Sequence, residues 1–182
     1  MSKSYWLVIK SPDNYSIARE RKFDMVGLIA QHRRKVQRMS PQDRVLIYIS
    51  QERVFATTAT VTTQMVEDHT PIWQTEGGSN FPYRVGIKPD IVLNKPQYID
   101  AYQIASRMDF ARRWTPELWY LAFQGSLHLI SKFDFSMLED EMRKLKQGRG
   151  KVNTPERYPP SAIPSRCTLD QMAKRDNRLL KR

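Results

Sequence analysis

Cysteine is almost missing: Cys167 is the only one in 182 residues. No intramolecular disulfide can form, so a reducing, cytoplasmic location is expected. No run approaches the roughly 18 apolar residues of a membrane helix. The apolar stretch in the opening Met1-Ser-Lys-Ser-Tyr-Trp-Leu7 is too short for a signal-peptide core, and no membrane partner is expected. Glycine is scarce, and Gly27, Gly77, Gly78, Gly86, Gly125, Gly148 and Gly150 form neither a dinucleotide fingerprint nor a phosphate loop. The histidines His32, His69 and His128 stand alone, far from the one thiol, which excludes zinc spacing and leaves no metal or cofactor to expect. Gly125-Ser126 lacks the second glycine of a nucleophile elbow. Glu139, Asp140 and Glu141 read as a solvated helix face. With no catalytic set in view, the chain is expected not to be an enzyme.

Acidic residues are also in short supply: 19 Asp and Glu stand against 30 Lys and Arg, a net charge of +11. Such a field attracts polyanions. At 40 % hydrophobic residues the chain is long enough and apolar enough to bury a core without disulfides or metal. The charge is uneven. Residues 148–182 carry nine basic and three acidic residues, +6 of the total, and the stretch Thr154-Pro-Glu-Arg-Tyr-Pro-Pro-Ser-Ala-Ile-Pro164 favours extended chain. The expected organisation is a domain over 1–147 and a basic, proline-containing extension over 148–182. Thr168, Leu169, Met172, Leu179 and Leu180 leave open a last helix.

Tyr5–Ile9, Arg44–Ser50, Val54–Thr63 and Phe81–Pro89 are rich in β-branched and aromatic residues between turn signals and read as strands. The two prolines of the last suit an edge or a strand boundary. Ser11-Pro-Asp-Asn14 reads as a turn ending the first strand. Residues 24–39 suggest loop with a short helix, and 67–80 suggest loop. Ala101–Met108 and Pro116–Phe123 have helical composition. Ser136, with Glu139 three residues on, predicts the N-cap of a helix that Gly148 stops. Strands first, short helices in the gaps and at the end predict an α+β fold, a small curved β-barrel flanked by short helices.

Between Arg19 and Arg38 seven basic residues face only Glu20 and Asp24. Arg33-Arg34-Lys35 could neutralise successive phosphates, the contacts that dominate affinity for nucleic acid. Tyr5, Trp6, Tyr15, Tyr48, Trp73, Tyr83 and Trp114 are interleaved with polar residues, as stacking on a base and reading its edge require.

These residues together resemble a known family. Tyr5-Trp-Leu7, Ser11-Pro-Asp-Asn14, Gly27 followed by His32-Arg-Arg-Lys35, Met39-Ser-Pro-Gln-Asp-Arg-Val-Leu-Ile-Tyr48, then Asp68, Pro71, Trp73, Phe81-Pro-Tyr-Arg-Val85, Arg113-Trp114 and Gln124-Gly125 resemble the EVE family in order. The likeness spans about Tyr5 to Leu145. It implies a PUA-like barrel, akin to PUA and YTH domains, that holds a nucleotide in a barrel pocket, with modified cytosine in DNA as the family's supposed target. It also implies where the pocket lies. Tyr48 and Met25 would form its wall, and Ser11, Asn14, Ser50 and the backbone at Gly27 would supply hydrogen bonds. Arg84 and Trp114 are further candidates for its lining, with core or ion-pair roles open to them. His32, Arg33, Arg34, Lys35 and Arg38 would hold phosphates, His32 alternatively the base. The expected partner is nucleic acid, DNA ahead of RNA; a modified-RNA reader and an adaptor docking a protein through the tail are the alternatives.

Overall fold

The computed structural model describes residues 3–75, 80–115 and 118–149, all within one unit, Met1–Val152. Along the chain come β1 (Tyr5–Lys10), α1 (Pro12–Glu20), β2 (Met25–Leu28), a 3₁₀ turn (Ala30–His32) and α2 (Arg33–Val36). β3 (Arg44–Ile49), β4 (Val54–Val61), β5 (Val66–Glu67), β6 (Tyr83–Val92) and β7 (Ile99–Asp100) come next. The last elements are α3 (Ala101–Ala105), a 3₁₀ helix (Trp119–Phe123), β8 (Leu127–Ile130) and α4 (Lys132–Lys146). The sheet runs β2-β6-β4-β3-β1-β8, with β5 on β6 and β7 on β4. It curls into a half-barrel, an α+β architecture of the PUA and YTH kind.

β1 and β3 pair in parallel at the centre, Tyr5 opposite Arg44 and Lys10 opposite Ile49. Their near-continuous apolar runs are what strands covered on both faces require. Alternation then divides the side chains. Trp6, Val8, Val45, Ile47 and Ile49 turn inward with Tyr15, Phe23, Leu28, Val36, Met39 and Val85. Leu7, Ile9, Leu46 and Tyr48 turn outward, beneath Ile104, Trp119, Phe123, Phe135, Leu138 and Met142 from the helical layer. Each such side chain contributes roughly 1.5–3 kcal/mol on burial. Asp43, buried just ahead of β3, ties the strand starts together: its carboxylate accepts from Ser4 N (2.9 Å), Trp6 Nε1 (3.0 Å) and Ser40 N (3.1 Å).

Several local expectations change. Ser11-Pro-Asp-Asn14 is a helix start, not only a turn: Ser11 is the N-cap of α1, its Oγ accepts from Asn14 N at 3.4 Å, and Pro12 opens the first turn. Residues 24–39 contain the strand β2 besides short helices. β6 lies between β2 and β4 rather than at an edge, and Pro89 is accommodated where the β4–β6 register shifts beside Ala59. α4 starts a turn before Ser136, capped by Ser131, whose Oγ accepts from Asp134 N at 3.0 Å. It ends as expected, with Gly148 at φ +69 just past it. The extension beyond residue 149, with Thr168 and its apolar neighbours, lies outside the described residues.

Candidate nucleic-acid interface

Lys10 ends β1 with the inward parity of Trp6 and Val8, and is only 2 % exposed. Its ammonium donates to the Gly27 carbonyl and lies 4.3 Å from the Phe81 ring centre and 5.4 Å from that of Trp73. Gly27 sits where it does because Trp73 lies on it: a Cβ there would fall 2.3 Å from Trp73 Cζ3. Opposite Gly27 in the β2–β6 ladder is Arg84. Its guanidinium, 5.5 Å from the Trp73 ring centre, donates to the Asp68 carboxylate and the Thr70 carbonyl. Thr70 donates to Asp68 through both backbone N–H and hydroxyl, and with Arg84 holds that carboxyl below its ordinary pKa. Asn14 fixes the other end of the loop, donating from Nδ2 to Gln74 O (3.0 Å) and accepting Gln74 N at Oδ1 (2.8 Å).

The loop carrying Trp73 is thus tied to the barrel mouth at both ends. Beside it opens a cavity of about 180 Å³ lined by Thr70, Pro71, Trp73, Thr75, Asn80 and Phe81, among others. Trp73 and Phe81 meet edge to face at 6.1 Å. Trp73 Nε1 and Arg84 Nε are buried without a hydrogen-bond partner among the described residues. Such groups are uncommon in a folded protein.

The basic segment is built differently. Val36 and Met39 anchor α2 and its exit in the inner core, while Arg33, Arg34, Lys35 and Arg38 stand exposed. None of the four is in an ion pair among the described residues. Arg33 lies 5.9 Å from the ring of Tyr83, whose side chain turns into the inner core on the face of β6 opposite Arg84. Lys35 Nζ donates to Leu127 O at 3.3 Å. His32 is half-buried, its Nε2 without a partner among the described residues. Burial, then Lys35 and His128, depress its pKa, which makes it a neutral hydrogen-bonding group at neutral pH rather than a cation.

The expected pocket residues separate accordingly. Gly27, Asn14 and Arg84 come together around Trp73, but Asn14 and Arg84 hold the loop. Ser11 caps α1, and Ser50 Oγ donates to Lys10 O at 3.3 Å. Met25, half-buried and paired with Gly86, stands two residues from Gly27. Tyr48 is not brought to the mouth: strand parity turns it into the outer core, where it stacks on Phe123 at 4.7 Å. Trp114 is also elsewhere, lining cavities with residues of the helical layer. Sequence reasoning misses Lys10 and Phe81 as neighbours of Trp73. A lysine at the inward parity of an apolar strand is the signal that points to them.

Among the described residues no cluster of His, Cys, Asp or Glu could hold a metal ion, and no helix is long and apolar enough to cross a membrane.

The family model for the EVE domain matches residues 4–127. A UPF0310 protein of Pyrococcus abyssi is 27 % identical over 151 residues, which cover 75 % of this chain and 97 % of the relative. Among solved structures, the YTH domain of mmi1 in a complex with RNA superposes with a TM-score of 0.58 at 11 % identity, over 81 % of this chain and 85 % of that one. A hypothetical protein from Leishmania major does so with a TM-score of 0.51 at 20 % identity, over 81 % and 98 %.

Proposed function

This chain belongs to the EVE domain family, and from that membership we propose that it is a non-catalytic, cytoplasmic nucleic-acid-binding module that inspects one base at the mouth of its barrel. The observation that carries the reading is Trp73, packed on Gly27 with the Lys10 and Arg84 cations near its ring and a cavity beside it, on a domain that also presents exposed cations along α2. A base reader needs a flat apolar wall, a few polar groups at its edge, and a grip on the flanking phosphates. Trp73 and Phe81 supply the wall. Thr70, Thr75 and Asn80 supply polar groups around the cavity. Arg33, Arg34, Lys35 and Arg38 supply the grip.

The cavity is smaller than the roughly 300–1,000 Å³ of drug-sized ligand sites, which favours one base over a dinucleotide. Extruding that base costs a few kcal/mol, less from a single strand. Stacking, worth roughly 1–3 kcal/mol per base, offsets much of it. We take a modified cytosine in DNA as the first candidate. The fold's likeness to a YTH domain seen with RNA supports a modified-RNA reader as the second. A binding screen of DNA and RNA strands, unmodified and carrying single modified bases, at two salt concentrations, tests both. A preference for one modified base that survives at high salt supports a reader; equal binding of every strand contradicts it.

A further inference from the structure

Trp114 stands apart from the mouth and is 42 % exposed, a large apolar area to leave in water. It forms a wall shared by two cavities, of about 490 and 350 Å³. The first is also lined by Phe110, Arg113, His128, Asp109 and Asp134, the second by Tyr102 and Arg112. Its exposure is not that of a loose loop. Asp134, fully buried on α4, accepts from Asp109 N (2.8 Å) and Phe110 N (3.0 Å). Ala111 is buried, and Trp114 N donates to its carbonyl at 3.0 Å. The backbone under the indole is therefore fixed from the core, and the ring is presented rather than adrift.

Both carboxylates of the larger cavity are committed, Asp134 to two backbone N–H groups and Asp109 to Arg112, so among the described residues the charge left without a partner there is that of Arg113, which favours an anionic occupant. Arg113 has no ion pair among the described residues, and Arg112 has only Asp109, at 3.4 Å. The basic segment reaches the strand that borders this cavity. Lys35 donates to the carbonyl of Leu127, and the next residue, His128, lines the larger cavity and packs edge to face on Phe110 at 5.3 Å. A strand whose phosphates track along α2 would thus arrive at a flat indole flanked by arginines. That is the combination by which proteins hold unpaired bases without reading their sequence: a cationic track and an aromatic face. An apolar peptide would gain nothing from the arginines.

We propose that Trp114 is a second stacking platform, which takes a base flanking the inspected one on a single-stranded segment of nucleic acid. The inference rests on the nucleic-acid-binding reading above and extends it: the preferred ligand is single-stranded, or locally opened, over more than one nucleotide, because a paired base has no free face to offer.

The test compares the full chain with Trp114→Ala and Trp114→Phe, using a fluorescent single strand long enough to reach both sites and copies of it with an abasic residue walked through each position. Trp114→Ala is expected to weaken binding on the order of tenfold. Trp114→Phe should keep most of the affinity, and the salt slope should stay unchanged because no phosphate contact is lost. An abasic residue at one position should cost the wild type a similar factor and cost Trp114→Ala nothing more. Wild-type affinity in Trp114→Ala, or an abasic penalty that adds to the mutation at every position, overturns the platform while leaving the reader standing. A wild type that binds no single strand overturns both.

Discussion

Two parts of this molecule carry positive charge and use it in opposite ways. At the barrel mouth Lys10 and Arg84 are buried, and each cation is committed to a carbonyl and a ring. Along α2, Arg33, Arg34 and Lys35 stand in solvent with no acid beside them among the described residues. Buried charges must be paired and hydrogen-bonded to be tolerated, so they fix geometry. Exposed charges contribute little to folding and remain available for a polyanion. The mouth is therefore expected to set which base is accepted, and α2 how tightly any strand is held.

Substitutions should separate the two regions by their effect on folding. The largest loss is expected from Gly27→Val. A Cβ already 2.3 Å from Trp73 forces the ring off the barrel, at the upper end of the about 1–3 kcal/mol typical of overpacking. Chemical denaturation would measure it, and base discrimination should disappear with it. Arg84→Met keeps the stem under Trp73 but removes the bonds to Asp68 and Thr70. A loss of roughly 1.5 kcal/mol is expected, as for hydrogen bonds to a charged group, with weakened base preference and an unchanged salt slope.

A smaller effect comes from pH. Burial holds His32 and His128 below the ordinary imidazole value, and Lys35 adds to the depression. The unfolded chain therefore binds protons first as pH falls. Stability is complete above the unfolded value near 6.5 and is lost as pH drops through the lowered folded values. A thermal melt should shift down between about pH 7 and pH 5, and less so in a His32→Gln, His128→Gln variant. Binding to nucleic acid should move the other way, since protonation adds positive charge beside Lys35; equal pH dependence in both proteins would contradict a role for the histidines. Least of all for folding should matter the triple change Arg33→Gln, Arg34→Gln, Lys35→Gln, within about 0.5 kcal/mol of wild type.

The same contrast explains which features are legible in the sequence. β1, β3 and β4 stand out because burial on both faces demands long apolar and β-branched runs, and β6 because its first half is buried in the same way. β2 does not, being four residues with a glycine near its centre. Ser11-Pro12 reads as a turn because a turn and a helix start use the same residues, and only the chain beyond them distinguishes the two. Ser136 and Ser131 are both plausible caps, and the buried Asp134 selects Ser131 by filling the first turn and bonding to the loop before it. In the basic segment an unpaired charge run looks the same in the sequence as on the surface. The mouth depends on contacts between Lys10, Gly27, Trp73 and Arg84, dispersed over four separate segments. Periodicity says nothing of such contacts, and the family resemblance places Tyr48 at a mouth where Trp73 lies instead.

The division of labour is tested most directly by the salt dependence of binding to a modified strand and its unmodified copy, in wild type and in the Arg33→Gln, Arg34→Gln, Lys35→Gln variant. The variant is expected to bind both strands more weakly, with a slope of log affinity against log salt reduced by about 0.7–0.9 per lost phosphate contact, and with the ratio between the two strands unchanged. Wild-type affinity and slope in the variant, or a ratio that collapses to one, would contradict it.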